Sequence, residues 1–523
     1  MVRLAALSGG VSQMAIDSAH YYRLTTRISG KDLALDVSPD QSVRPVLRAP
    51  ADVSGQYWRF VPAGAGHQAL RNAYLGEAFS LEMNQPAAIR LAPTNPSPKQ
   101  VWMVQQSSAT CALINQEGGS HCCLRVKGGG LTVSRSTAAK PRHLRWSATS
   151  LATVPQPVAI PPLQQAGDVY CPEGPTDFNF YARPEGTVSA VMIFVDFPDA
   201  EAGSLSASDC AAHLLGEGRA QGLFEEQSYG HCRLAVDVRS DLGWKRVTQP
   251  STAYDCHNFL SHRQYVADAA ARFAGEIEFS QYQFVLIVAP PSAAFLDSPA
   301  FNARPGEGVP LPNGEIRLGV TFGRDSYRNS YINLVHEVSH LMGLPDLYPY
   351  GGGVDSSRAG CWDIMSDIFH CEAFIGWHRH KNGWLRAERS HYLPEAPQER
   401  YLTLSPLSTG FGTSMIVVPI DDAQQPGKIF VVELAQPRAG TAAGPRRDGV
   451  LVYTVNASIP TGHSPVAVQA RLVSNSQEHG YLCEAAYRPG DSATFTEDHT
   501  SLTLAVLQQF GDCFHVKLAI TRA

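Results

Sequence analysis

Three tryptophans, Trp58, Trp102 and Trp146, follow one another at intervals of 44 residues. A chain that returns to the same large apolar residue at a fixed interval is confined to folds built from equivalent units. The preceding stretches align as well. YRLTTRISGKDLALDV (22–37), QALRNAYLGEAFSLEM (68–83) and CALINQEGGSHCCLRV (111–126) each run apolar, turn, apolar, and RPVLRAP, AIRLAP or a degenerate GGLTVSR then leads to each tryptophan. Short strands between Gly, Pro and Asn turns cannot bury a face singly, but three such units closed around a pseudo-threefold axis can. A three-lobed β-barrel is therefore expected over the first 150 residues.

This pattern resembles the ricin-type β-trefoil lectin family, whose repeats carry Gln-x-Trp. Gln56-Tyr57-Trp58 and Gln100-Val101-Trp102 match it, and Leu144-Arg145-Trp146 departs from it. In that family a sugar site takes an Asp from the first strand pair, an aromatic platform, and an Asn ahead of the Gln-x-Trp. By the resemblance Asp36 holds the Asp position in the first lobe and is the one candidate carbohydrate-binding residue; Glu82 and Arg125 replace it in the other two. Gly55 and Lys99 stand where the Asn belongs, and RPVLRAP holds no aromatic. The tryptophans themselves read as core.

A length of 523 residues exceeds one ordinary hydrophobic core, so about two to four domains are expected. Residues 18–150 are read as the β-trefoil and the proline-rich LATVPQPVAIPPLQQAG (151–167) as a semi-rigid linker. Residues 168–390 follow as an α/β domain: VSAVMIFVDF (188–197) and FVLIVAP (284–290) have buried-strand patterns, and YVADAAARFAGEI (265–277) is helical in its spacing. SMIVVPI (414–420), KIFVVEL (428–434), GVLVYTV (449–455) and SLTLAVL (501–507) make 391–523 a β-rich, sandwich-like C-terminal domain.

Net charge is −6 with scattered Lys and Arg, which leaves no electrostatic footprint for nucleic acid or an anionic membrane. No apolar run approaches the roughly 18 residues of a transmembrane segment, and the N-terminal stretch has too short an apolar segment for a signal peptide. With eleven cysteines at least one is unpaired within the chain, and most read as buried apolar residues.

The chemistry concentrates in HEVSHLMGLPDLY (336–348). Residues four apart share a helix face, so His336 and His340 can present imidazoles to one zinc ion, with Glu337 beside the open position as general base. Gly343 ends the helix, and Asp346 follows where its carboxylate can swing back as third ligand. Downstream, GCWDIMSD (360–367) places Met365 like the Met-turn beneath the metal of metzincin proteases.

With these segments in view, residues 166 to about 460 resemble the immune inhibitor A family of secreted, metzincin-type metallopeptidases. AVMIFVDFPD (190–199), EEQSYGHCRLAVDV (225–238), WHRHKNGWL (377–385) and VVELAQPRAG with GVLVYTV (431–455) extend the match. The resemblance implies a zinc endopeptidase acting on proteins or peptides outside the cell, often with structural calcium. It departs at Leu347, where the family has an acidic residue, and in the glycine-rich PYGGGVDSSRAG (349–360).

For oxyanion stabilisation Tyr348, His370, His378 and His380 are all candidates, although WHRHKNGWL also reads as a helix with polar faces. Asp363 suits either a supporting hydrogen bond near the site or a turn cap. The lectin-like lobes suggest docking on glycans or glycoproteins. The competing reading is a carbohydrate-binding protein whose peptidase-like domain is inactive or a scaffold.

Overall fold

The computed structural model describes all residues except 1–15, 38–43, 52–53, 76–78, 85–87, 108–109, 118–121, 128–129, 136–145, 154–157, 353–355, 409–411, 436–448, 470–478 and 511–512. Leu144 and Arg145 of the third repeat, most of the N-terminal stretch, and parts of the linker and of the glycine-rich segment thus lie outside the described residues. The architecture is β-rich and is built from several separate sheets. No helix among the described residues is long and apolar enough to cross a membrane.

Within the N-terminal β-sheet region the repeats recur in hydrogen bonding as well as in sequence. The indole Nε1 of Trp58 donates to Leu35 O (2.8 Å), that of Trp102 to Leu81 O (2.9 Å), and that of Trp146 to Leu124 O (3.3 Å). All three indoles are fully buried in one cluster with Leu24, Leu70 and Leu113. Buried indole N–H groups need acceptors, and the same strand carbonyl in each unit supplies one. The tryptophans are core, as their spacing suggests.

Asp36 is 2% exposed; its Oδ2 accepts from Gln56 Nε2 (3.0 Å) and its Oδ1 from the Val37 amide (2.7 Å). Glu82 takes the equivalent bond from Gln100 (2.9 Å) and pairs with Arg90. In both lobes, then, the acid and the glutamine brace the strand pair against the tryptophan loop. A Cβ on Gly55 would strike Asp36 Oδ1. Gly55→Ala is accordingly expected to destabilise this region by about 1–3 kcal/mol, the usual penalty for overpacking, read as a lower urea midpoint at unchanged slope.

The last strand of this region, Ser147–Thr153, extends three residues into the expected linker, and residues 158–167 carry neither helix nor strand. Next comes a sheet in the order Cys232–Val238, Gly186–Asp196, Phe284–Val288, Leu318–Phe322, Ala300–Asn302, parallel except for the last strand. Helices α1 (Ala207–Leu215), α2 (Arg219–Gln227), α3 (Phe259–Ala271), α4 (Ser326–Asn329), α5 (Tyr331–Leu341) and α6 (Gly376–Lys381) accompany it. Val188, Ala190, Met192 and Phe194 face a core that takes in α1, α2 and α5, whereas Val191, Ile193 and Val195 face α3 through Tyr265 and Val266. A strand covered on both faces has no polar side, hence its unbroken apolar run. Helix α3 begins six residues before the stretch whose spacing marked it and ends at Ala271, ahead of Gly275.

The C-terminal part forms two sheets. Five strands run in the order Ser390–Tyr392, Met415–Pro419, Lys428–Ala435, Gly449–Asn456, Val466–Val468, and four in the order Gln398–Leu404, Cys513–Arg522, Thr500–Phe510, Ser492–Glu497. Ile416, Val418, Phe430, Val432 and Val452 pack against Leu502, Leu504 and Val516 of the smaller sheet. The alternate residues Met415, Val417, Val431, Leu451 and Tyr453 join the core beneath α5. The expected boundary near residue 390 therefore runs through one continuous apolar core, and the five-stranded sheet belongs to both layers.

Candidate metal centre

Helix α5 buries Leu334, Val335, Val338 and Leu341, which fixes its rotation and turns His336 and His340 to one side. Its end is set by Gly343 at φ +88°: the Gly343 amide donates to His340 O (3.1 Å) and the Leu344 amide to Ser339 O (3.1 Å). This pair of bonds is the Schellman arrangement, which needs a left-handed residue at that point. A Cβ at Gly343 would also strike Thr176. The reversed chain then brings Asp346 back over the helix.

His336 Nε2 lies 3.1 Å from Asp346 Oδ1, His340 Nε2 lies 3.4 Å from the same oxygen, and the two Nε2 atoms are 3.2 Å apart. Both imidazoles are oriented from behind, His336 Nδ1 donating to Ile364 O (3.1 Å) and His340 Nδ1 to Leu344 O (2.8 Å). With Nδ1 protonated, each neutral ring offers a lone pair at Nε2. Three ligand atoms thus converge on one point, with the buried Asp346 Oδ1 facing both imidazoles. Ligands about 2.0–2.1 Å from a tetrahedral zinc ion are separated by about 3.3 Å, which this triangle matches. The donor set fits zinc, and a carbonyl behind each imidazole is the usual outer support.

Burial opposes charge on His340, but Asp346 and Glu337 outweigh it and hold its pKa up at about 9. Asp346 responds in the opposite sense. Burial opposes its ionisation, yet the two histidines keep it well below the usual carboxylate range. Glu337, pushed up by burial to about 7, lines the same cavity of about 770 Å³ as the three candidate ligands. Tyr348 lines it too, its ring lying nearly parallel to that of His336 at 6.4 Å. Among the described residues no second cluster of three His, Cys, Asp or Glu side chains brings its ligand atoms together in this way.

Met365 is fully buried, and its carbonyl accepts from the Leu347 amide (2.9 Å), which sets the 363–366 turn against the ligand loop. Asp363 holds that turn: Oδ1 accepts from the Met365 amide (2.7 Å) and Oδ2 from the Ile375 amide (2.8 Å). His378 Nδ1 reaches Asp363 Oδ2 (2.8 Å) and Nε2 reaches Glu173 Oε1 (3.0 Å), with all three side chains fully buried. Burial opposes its charge, but the two carboxylates hold the imidazolium up to about 10.

WHRHKNGWL does contain a helix, but the expected polar faces are not solvent faces. Arg379 is buried and donates to Gln227 (2.7 Å) and Phe374 O (3.0 Å), and Lys381 donates to Pro172 O (2.9 Å) and Gly174 O (2.6 Å). His378 is therefore a structural cation, absent from the cavity lining, and His370 is occupied by Asp367 (2.8 Å).

Three residues at the centre escaped the sequence. The hydroxyl of Tyr350, four residues past Asp346, donates to Asp346 Oδ2 (3.0 Å). Thr461 Oγ1 accepts from the Asp346 amide (2.9 Å), and Glu173 braces His378. Only Tyr350 carried a local signal, its spacing; nothing in the sequence ties Thr461 or Glu173 to the motif.

No family model and no curated protein matches the chain. Among solved structures, a designed threefold-symmetric protein, ThreeFoil, aligns at 21% identity over 25% of this chain and 99% of its own, with a TM-score of 0.22. A Polyporus squamosus lectin bound to a human-type influenza-binding epitope aligns at 14% identity over 26% and 51%, TM-score 0.23. An exo-β-1,3-galactanase from Clostridium thermocellum aligns at 19% identity over 26% and 31%, TM-score 0.22.

Proposed function

We propose that the chain is a zinc endopeptidase of metzincin type, similar to the immune inhibitor A family, preceded by a β-trefoil lectin-like barrel. The observation that carries this reading is the convergence of His336 Nε2, His340 Nε2 and Asp346 Oδ1, three acceptors within 3.4 Å of each other. Zinc, when bound, supplies the positive charge that makes water acidic near neutral pH and polarises a peptide carbonyl. Glu337 takes the proton of the attacking water and returns it to the amine nitrogen of the leaving group. Met365 and its turn form the apolar floor.

A polypeptide substrate suits the shape of the site. A second depression of about 570 Å³ lies beside the metal cavity, and Tyr170, Cys171, Tyr181 and Asn302 line both, which offers room for a chain extending past the metal. The Cys361–Cys483 disulfide suits an oxidising, extracellular setting. The barrel's threefold pattern supports the β-trefoil reading, while the buried, fully engaged Asp36 does not favour a sugar site in the first lobe.

Incubation of the purified protein with an unfolded protein substrate is the direct test. Cleavage is expected, to be abolished by a zinc chelator and restored by added zinc. Intact substrate under zinc-replete conditions, together with retention of the protein on a glycan column, would favour the carbohydrate-binding reading.

A further inference from the structure

The strands Gly449–Asn456 and Val466–Val468 of the C-terminal sheet pair antiparallel, with Tyr453 opposite Val468 and Val455 opposite Val466. The loop between them reaches the metal centre. Its Thr461 Oγ1 accepts from the Asp346 amide (2.9 Å) and lies 3.2 Å from the Tyr350 hydroxyl, while the Gly462 amide donates to Asp346 O (3.1 Å). The Tyr350 amide in turn donates to Gly462 O (3.0 Å), and the Tyr350 hydroxyl to Asp346 Oδ2 (3.0 Å). Asp346 is thereby held through its amide, its carbonyl and one carboxylate oxygen, leaving Oδ1 directed at the histidines. The approach is too close for a side chain at Gly462, whose φ is +71° and whose Cβ would strike the Tyr350 ring.

Resting on the zinc reading above, we propose that Thr461, assisted by Gly462 and Tyr350, is a positioning residue for the third metal ligand, so that the C-terminal sheet is an integral part of the metal centre. Asp346 follows the helix on a turn, and these partners meet its amide, its carbonyl and Oδ2, which sets the aim of Oδ1 at the histidines. The Thr461 hydroxyl does two things at once: it satisfies a buried amide and keeps the Tyr350 hydroxyl close to Oδ2. Valine matches its shape and removes both contacts.

The test is the zinc affinity of the full-length, metal-stripped protein, measured by competition with a chromogenic chelator well below the unfolding temperature. Thr461→Val is expected to bind zinc about 10–100-fold more weakly, the usual effect of losing an outer partner of a ligand. Thr461→Ser, which keeps the hydroxyl, should return to within about threefold of wild type on the same scale. Folded Thr461→Val with wild-type zinc affinity overturns the proposal while leaving the zinc reading intact. A wild type that binds no zinc overturns both. Should Thr461→Val not fold, Tyr350→Phe decides the matter: about tenfold weaker binding supports the clamp, and unchanged binding overturns it.

Discussion

Glu337→Gln is expected to lower kcat by about 10²–10⁴-fold, the range that a positioned general base contributes, while zinc content and unfolding midpoint stay at wild-type values. Glutamine keeps the volume and the hydrogen-bonding shape of the side chain, so the cavity wall is preserved and only proton transfer is lost. Glu337 suits this role because it lines the cavity beside His336 and His340 and is pushed up to about 7 by burial, close to the pH at which it must both accept and release a proton. Steady-state kinetics on a fluorogenic peptide, with metal content measured on the same samples, makes the comparison. A variant that retains zinc and most of its activity would remove Glu337 from the mechanism.

His378→Gln is expected to destabilise the protein by about 3–5 kcal/mol, measured by urea unfolding near neutral pH. Removing the cation leaves Asp363 and Glu173 buried against each other without compensation, and a broken buried ion pair costs about that much. Its pH dependence has a definite sign. The folded-state value of about 10 lies above the roughly 6.5 of an unfolded histidine, so the contribution is complete below about pH 6.5 and is lost as pH rises through about 10. Wild-type stability should therefore decline across that alkaline window. Because Asp363 also holds the Met365 turn, the variant is expected to lose zinc more readily as well; an unchanged urea midpoint would show that the triad does not support the fold.

The most legible parts of the chain were those whose chemistry is written in local spacing. A spacing of four residues from His336 to His340 gives them a shared helix face, and the glycine three residues later sets where the helix ends, so the return of Asp346 is legible in the sequence. Likewise, three tryptophans at one interval demand three equivalent environments, which their indole bonds to Leu35, Leu81 and Leu124 supply. What stayed hidden depends on distant parts of the chain. Val431 and Val432 are neighbours on one strand but enter different cores, and a continuous apolar run does not say what lies on either face. That is why a boundary at residue 390 looked natural. WHRHKNGWL misled for a related reason: His378 and Arg379 look solvent-seeking until Glu173, Asp363 and Gln227 arrive from elsewhere in the chain to surround them. Thr461 is an ordinary loop residue until the fold places it against Asp346.

The disulfide between Cys361 and Cys483 spans 122 residues, from the edge of the Met365 turn to the segment before the strand Ser492–Glu497. Any single backbone cut between those cysteines leaves two fragments that remain covalently joined. If the proposed peptidase activity is present, this has a practical meaning, because self-inflicted nicks in that interval would stay invisible on a non-reducing gel. The same nicks would appear as two bands once thiol is added, and a clipped molecule would keep the Met365 turn tethered to the C-terminal segment that holds Cys483.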